Sequence, residues 1–199
     1  LQNPVGAPVA FDEGLGTIVD NDPLSTLLYF NSEPGDFIGQ GQEFSFSPAD
    51  GTITASRNFD NGVSIDFDST ELWFLDFVAP GEVALQPGQY EGATRFPFQS
   101  PTRPGLSVSG DGRGCNKLTG RFVVLEVVYG SGGSVQQFAA DYEQHCEGGA
   151  PALYGSVRFN STVTVEPRLS VGPATVYEGD GGTLQMRFVI WLSGRAPAP

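Results

Sequence analysis

Cys115, Cys146 and the histidine directly before the second cysteine, His145, are the residues whose types suggest chemistry first. A thiol, an imidazole and the nearby Glu143 are the ingredients of a nucleophilic triad. That triad needs the histidine beside both a free nucleophile and an orienting acid. The flanking sequence argues for oxidised sulfur instead. Arg121 to Tyr129 (RFVVLEVVY) is β-branched and aromatic, Gly130-Ser131-Gly132-Gly133 can only turn, and Val135 to Tyr142 (VQQFAADY) returns. Folding the chain about that turn brings Cys115 within about two residues of the position opposite Cys146, a slack that a bulge absorbs. The expectation is a disulfide at Cys115 and Cys146 with His145 as a structural neighbour.

Carboxylates offer two further chemistries. Glu71, Asp76 and Glu126 contain the makings of a glycosidase pair, but nothing in the sequence singles out two of them. Glu126 interrupts an apolar strand and is expected to be buried with a cation such as Arg121 or Arg158. Asp60, Asp66 and Asp68 surround a hairpin; hard cations want several such oxygens, yet Asp66 and Asp68 also fall on the ordinary solvent face of a strand. Ser109 to Gly114 (SGDGRG) lacks the Lys-Ser/Thr of a phosphate loop and reads as a turn that needs positive φ. No catalytic set emerges, so the expectation is a protein that is not an enzyme. Tyr90, Arg95, Phe96, Phe98 and Arg103 form the candidate ligand face, a glycan-binding one, with Phe96 to Pro101 exposed in a proline-rich loop. Trp73 and Phe74 are read as core.

Those residues must be positioned by strands. The chain has 27 glycines, 15 prolines and 15 phenylalanines, and no useful window carries apolar residues at a 3.6 spacing, so almost no helix is expected. Strands are expected at Leu24–Phe30, around Phe44 and Phe46, and at Ile53–Ala55. Asp60-Asn61-Gly62 marks a hairpin before Val63–Phe67. Leu72–Val78 is apolar on both faces and reads as a central strand. Residues 80 to 104 wrap an edge with a short strand near Gln89–Ala93; Leu106–Ser109, the cysteine hairpin and a last strand through Leu153, Val157 and Phe159 complete about ten strands. The spacing fits an all-β sandwich or jelly roll rather than a parallel sheet.

The formal net charge is −13. Such a chain repels phosphate backbones, which excludes nucleic acid as a partner and disfavours an anionic membrane surface. No stretch is long and apolar enough to span a bilayer. Residue 1 is Leu and no signal peptide is visible, so the expectation is a processed product or a piece of something larger, in an oxidising compartment.

Two terminal stretches carry a resemblance. Residues 1 to 23 (LQNPVGAPVAFDEGLGTIVDNDP) resemble the end of a Calx-beta repeat, and Leu169 to Thr183 (LSVGPATVYEGDGGT) resemble the opening of one. After that opening Leu184, Met186, Phe188, Ile190 and Leu192 alternate on one face. The wording between the ends (PGDFIGQG, GDGRGCN, EQHCEGG) is similar to bacterial extracellular domains that accompany such repeats. The resemblance implies immunoglobulin-like strand segments at 1–23 and 167–199 around a disulfide-clamped sandwich at 24–166. It implies calcium, with Glu178 at the first ligand position, Asp180 nearby, and Asp20 and Asp22 in the closing acidic run. It also implies a structural or adhesive module of a secreted bacterial surface protein. Its partners would be other copies of itself or neighbouring repeats, joined head to tail into a fibre by strand complementation. A carbohydrate-binding module is the alternative.

Overall fold

In the computed structural model, residues 24–165, 168–171 and 190–193 are described. The cysteine hairpin is the longest feature. Its strands, numbered here in chain order with the others, are β8 (Leu118–Tyr129) and β9 (Val135–Cys146). Both run further than the apolar stretches that announce them. They pair antiparallel from Leu118–Cys146 to Tyr129–Val135, with register shifts between Val124 and Glu126 and between Val128 and Tyr129. Those bulges take up the slack in the pairing. Cys115 lies just outside the ladder and forms a disulfide with Cys146, Cα atoms 5.2 Å apart.

The remaining strands join β8 and β9 in one sheet. They are β1 (Ser25–Ser32), β2 (Glu43–Phe46), β3 (Thr52–Arg57), β4 (Val63–Asp68), β5 (Leu72–Val78), β6 (Gly88–Arg95), β7 (Gly105–Gly110) and β10 (Ala152–Ser161). Their order across the sheet is β2-β1-β10-β9-β8-β6-β7-β5-β4-β3. All neighbours are antiparallel except β6 and β7, which run parallel over Thr94–Arg95 and Gly105–Leu106. The fold is all-β, as the turn spacing requires.

The sheet curls into two facing layers, with β6 at the corner. Trp73 of β5 meets Phe30 of β1 at 4.8 Å and Phe44 of β2 at 5.1 Å, centroid to centroid. Phe77 of β5 meets Phe122 of β8 and Phe138 of β9, both at 5.3 Å. The core therefore holds the inward residues of both layers, including Leu28, Ile65, Leu75, Val108, Val124 and Val157. Two glycines make room for its large rings. A Cβ at Gly110 would strike the Trp73 ring, and one at Gly155 would strike Tyr142. At the corner the buried Gln144 acts as a strand partner for β7: its Oε1 accepts from Val108 N–H at 2.7 Å and its Nε2 donates to Val108 C=O at 2.8 Å.

β5 does have a strand on each side, β4 and β7. Its two faces differ, however. Trp73, Leu75 and Phe77 are buried, whereas Leu72 and Phe74 are 46 % and 45 % exposed. The expectation that Phe74 fills the core is corrected here: pairing covers a strand's edges, and a second layer is needed to cover a face. Val78, on the same outward side, is buried because the hairpin tip at Gly62 lies against it.

Beyond β10, Arg168–Val171 (β11) and Ile190–Ser193 (β12) pair antiparallel as a separate two-stranded sheet, Leu169 opposite Leu192. The expected strand at Gly16–Val19 and the alternation from Leu184 to Phe188 lie outside the described residues, as do Asp20, Asp22, Glu178 and Asp180. No helix among the described residues is long and apolar enough to cross a membrane.

Candidate ligand-binding site

Three loops meet at one end of the β4–β5–β7 layer. The first is the β3–β4 tip, residues 58–62. Asn58 closes it: its Oδ1 accepts from Gly62 N–H at 2.7 Å, and Asn61 takes φ 61°. This is the turn that Asp-Asn-Gly predicts. The second is the segment after β5, where Pro80–Glu82 make a short 3-10 turn. The third connects β6 to β7 and contains a cis Phe96–Pro97 bond. Its base is fixed by Thr94 N–H to Pro104 C=O and Phe96 N–H to Leu106 C=O, both 3.0 Å.

Polar contacts lace the loops together. Gln99 donates to Asp60 Oδ2 at 2.7 Å, Asn61 Nδ2 donates to Glu82 C=O at 2.7 Å, and Gly81 N–H donates to Pro101 C=O at 2.8 Å. Between them lies a cleft of about 140 Å³ whose lining includes Phe59, Asp60, Glu82, Gln99 and Arg103. Phe59 is 75 % exposed and Phe98, on the loop between Pro97 and Gln99, is 72 % exposed. Arg95 lies over the Phe98 ring at 4.8 Å, and Arg103 donates to Gly92 C=O at 3.3 Å. An open apolar ring beside an acid, an amide and a guanidinium can hold a ligand with apolar faces and hydroxyl edges.

The residues expected to form a ligand face are thus only partly together. Arg103 lines the cleft, whereas Arg95, at the end of β6, and Phe98, on the loop that follows, lie against each other and are not part of its lining. Phe96 is 9 % exposed and packs under Phe59, ring centroids 5.3 Å apart, so it supports the face rather than presenting itself. Tyr90 stacks on Phe122 at 4.7 Å with its hydroxyl bonded to the Gln86 backbone, and does not line the cleft. Sequence reasoning missed Phe59, Glu82 and Gln99. Phe59 carried a signal, an aromatic placed directly before a hairpin turn, where alternation gives it no inward position. Glu82 and Gln99 carried none, because their partners lie far off in sequence.

The other constellations resolve into structure. His145 faces Glu143 Oε1 at 2.9 Å and Ala150 C=O at 3.0 Å, with no thiol in reach because Cys146 is in the disulfide. Burial pushes the Glu143 carboxyl up, but bonds from His145 and Arg121 more than offset it and hold it below its ordinary value. Glu126 is half-buried, and its partner is the Ser161 hydroxyl rather than Arg121 or Arg158. Those arginines pair with Glu143 at 2.8 Å and Asp141 at 2.9 Å. Glu71 accepts from the Trp73 indole at 3.4 Å. Asp76 accepts from the Ser64 hydroxyl; burial nevertheless pushes its carboxyl up to about 6. In SGDGRG, Asp111 and Gly112 do take positive φ, and Arg113 donates to Ile38 C=O at 2.7 Å. Among the described residues, no three His, Cys, Asp or Glu side chains converge as metal ligands.

No family model, curated protein or solved structure matches the chain. The functional reading therefore rests on the site's own geometry and on the resemblance at the two ends.

Proposed function

We propose that this protein is a non-catalytic adhesive module of a secreted bacterial surface protein, and that it holds a neutral glycan at the loop end around Phe59 and Phe98. One observation carries the reading: Phe59, 75 % exposed, lines a cleft with a carboxylate, an amide and a guanidinium on its wall, and the equally open Phe98 sits in the chain between two of the cleft's lining residues, Pro97 and Gln99. Apolar rings of that size are normally buried, and one left open on the wall of a polar cleft is the usual mark of a contact surface. A sugar suits it because each ring face is apolar while its hydroxyls both donate and accept. A net charge of −13 disfavours an anionic polymer as the ligand. The disulfide is compatible with an oxidising, extracellular setting. The Calx-beta resemblance supports a place in a row of repeats, with neighbouring repeats or further copies as partners.

The test is a glycan array followed by titration calorimetry on the best hit. Phe59→Ala and Phe98→Ala should each weaken binding about tenfold or more, as truncated aromatic anchors do. Binding that survives both changes unaltered, or an array without a hit, removes the reading.

A further inference from the structure

A second surface lies outside the cleft, on the outer face of the β3–β4–β5–β7 layer. Strand pairing fixes its pattern. Thr54, Asp66, Phe74 and Ser109 stand in one row across the four strands. Asp68 is opposite Leu72 in the row on one side, and Asp76 lies between Ser64 and Ser107 in the row on the other. Side chains directly opposite one another are about 5 Å apart, and same-face neighbours along a strand about 7 Å. Phe74 and Leu72 therefore form an open apolar strip with carboxylates on its flanks.

That arrangement is unbalanced in charge. Among the described residues, Asp66, Asp68 and Asp76 have no salt-bridge partner, and the nearby Arg113 is spent on Asp111 and on the Ile38 carbonyl. Burial raises the carboxyls of both Asp66 and Asp76 above their ordinary value, as expected of acids drawn partly out of water with no cation beside them. The missing element is a positive charge carried on an apolar stem. Lysine and arginine side chains have that form: the stem covers a ring while the head reaches the acids. A second copy of this chain, at −13, brings the wrong sign.

We propose that the outer face of β4, β5 and β7 around Phe74 docks a cationic polypeptide segment of a partner protein, with basic stems across Phe74 and Leu72 and their heads among Asp66, Asp68 and Asp76. The reading is independent of the glycan cleft.

The test uses the whole protein and a labelled nona-arginine peptide, followed by fluorescence anisotropy at about 150 mM salt, where bulk attraction is largely screened. Phe74→Ser, which leaves every charge in place, and Asp66→Asn should each weaken binding roughly five- to tenfold. Glu43→Gln, which removes the same charge from the exposed start of β2, should stay within about twofold. A wild-type protein that does not bind the peptide overturns the proposal. So does a Phe74→Ser variant that binds as wild type, or a Glu43→Gln loss equal to that of Asp66→Asn; both would mean bulk charge alone. If Phe74→Ser abolishes glycan capture and spares the peptide, the face belongs to a sugar site and the proposal also fails.

Discussion

Asp76 sits in the fold at an energetic cost that depends on pH. Its carboxyl is raised from 3.8 to about 6, chiefly by burial, with the Ser64 hydroxyl pulling the other way. A raised acid binds its proton more tightly in the folded state than in the unfolded one. The folded state is therefore favoured below about 4, loses that advantage as pH climbs toward 6, and carries the full penalty above it. Asp76→Asn should thus stabilise the protein by about 1–3 kcal/mol at pH 7.5 and change little near pH 4. Urea midpoints at the two pH values check this, and a destabilised variant at pH 7.5 would contradict it. Arg158 is the opposite case. It is 2 % exposed and spends its guanidinium on Asp141 and on the carbonyls of Ala140, Val157, Val163 and Thr164. Through Val163 and Thr164 it ties down the chain leaving β10. Arg158→Met should cost about 3–5 kcal/mol, because it removes a buried guanidinium from an ion pair and from the carbonyls of Ala140 and Val157 that it satisfies. Chemical denaturation measures it. Sequence reading placed Arg158 near an internal acid but chose the wrong one: Asp141 is on β9, which pairs directly with β10, whereas Glu126 is one strand further off on β8 and accepts from Ser161 instead.

At the scale of elements, alternation and turn chemistry were enough to find the strands. Val63 to Asp68 alternates cleanly because one face meets the core, and Asn61 takes the positive φ that its hairpin needs. The β8–β9 hairpin was legible for the same reason, together with its disulfide. What the sequence did not disclose is which faces stay open. Trp73 and Phe74 are adjacent aromatics on one strand, yet the first is fully buried and the second half exposed. Period two separates them into opposite faces, but only the curl of the sheet decides that one face meets a layer and the other water. The loop end was legible only as a proline-rich, aromatic stretch. Its cleft needs Asp60 to meet Gln99 across 39 residues. The hairpin also yields a stability prediction. Replacing Cys115 and Cys146 together by serine opens a loop with a sequence separation of 31 and should cost about 3–4 kcal/mol. A midpoint unchanged from that of the oxidised parent would show that the strand pairing alone suffices.

At the scale of the whole molecule, the two readings of the surface sit on one layer: a polar, aromatic cleft at its loop end and an acidic, apolar face on its outside. The terminal segments bear on how such modules are joined. If Calx-beta-like ends exchange strands between copies with calcium at Asp20, Asp22, Glu178 and Asp180, light scattering should report large species in calcium that fall to the monomer in chelator. A calcium-indifferent monomer would confine function to the sandwich. The topology has a mechanical side as well. β1 and β10 are neighbours, and Ser25 pairs with Ser161, so the chain enters and leaves the sandwich at the same corner. Tension applied through the flanking segments would open that ladder like a zipper, one pair at a time, instead of shearing all its bonds at once. The covalent link between Cys115 and Cys146 carries the load past β8 and β9, so their hairpin stays shut while strands on either side pay out. A surface protein built from such units would yield at low force, lengthen, and keep its longest hairpin as the seed for refolding.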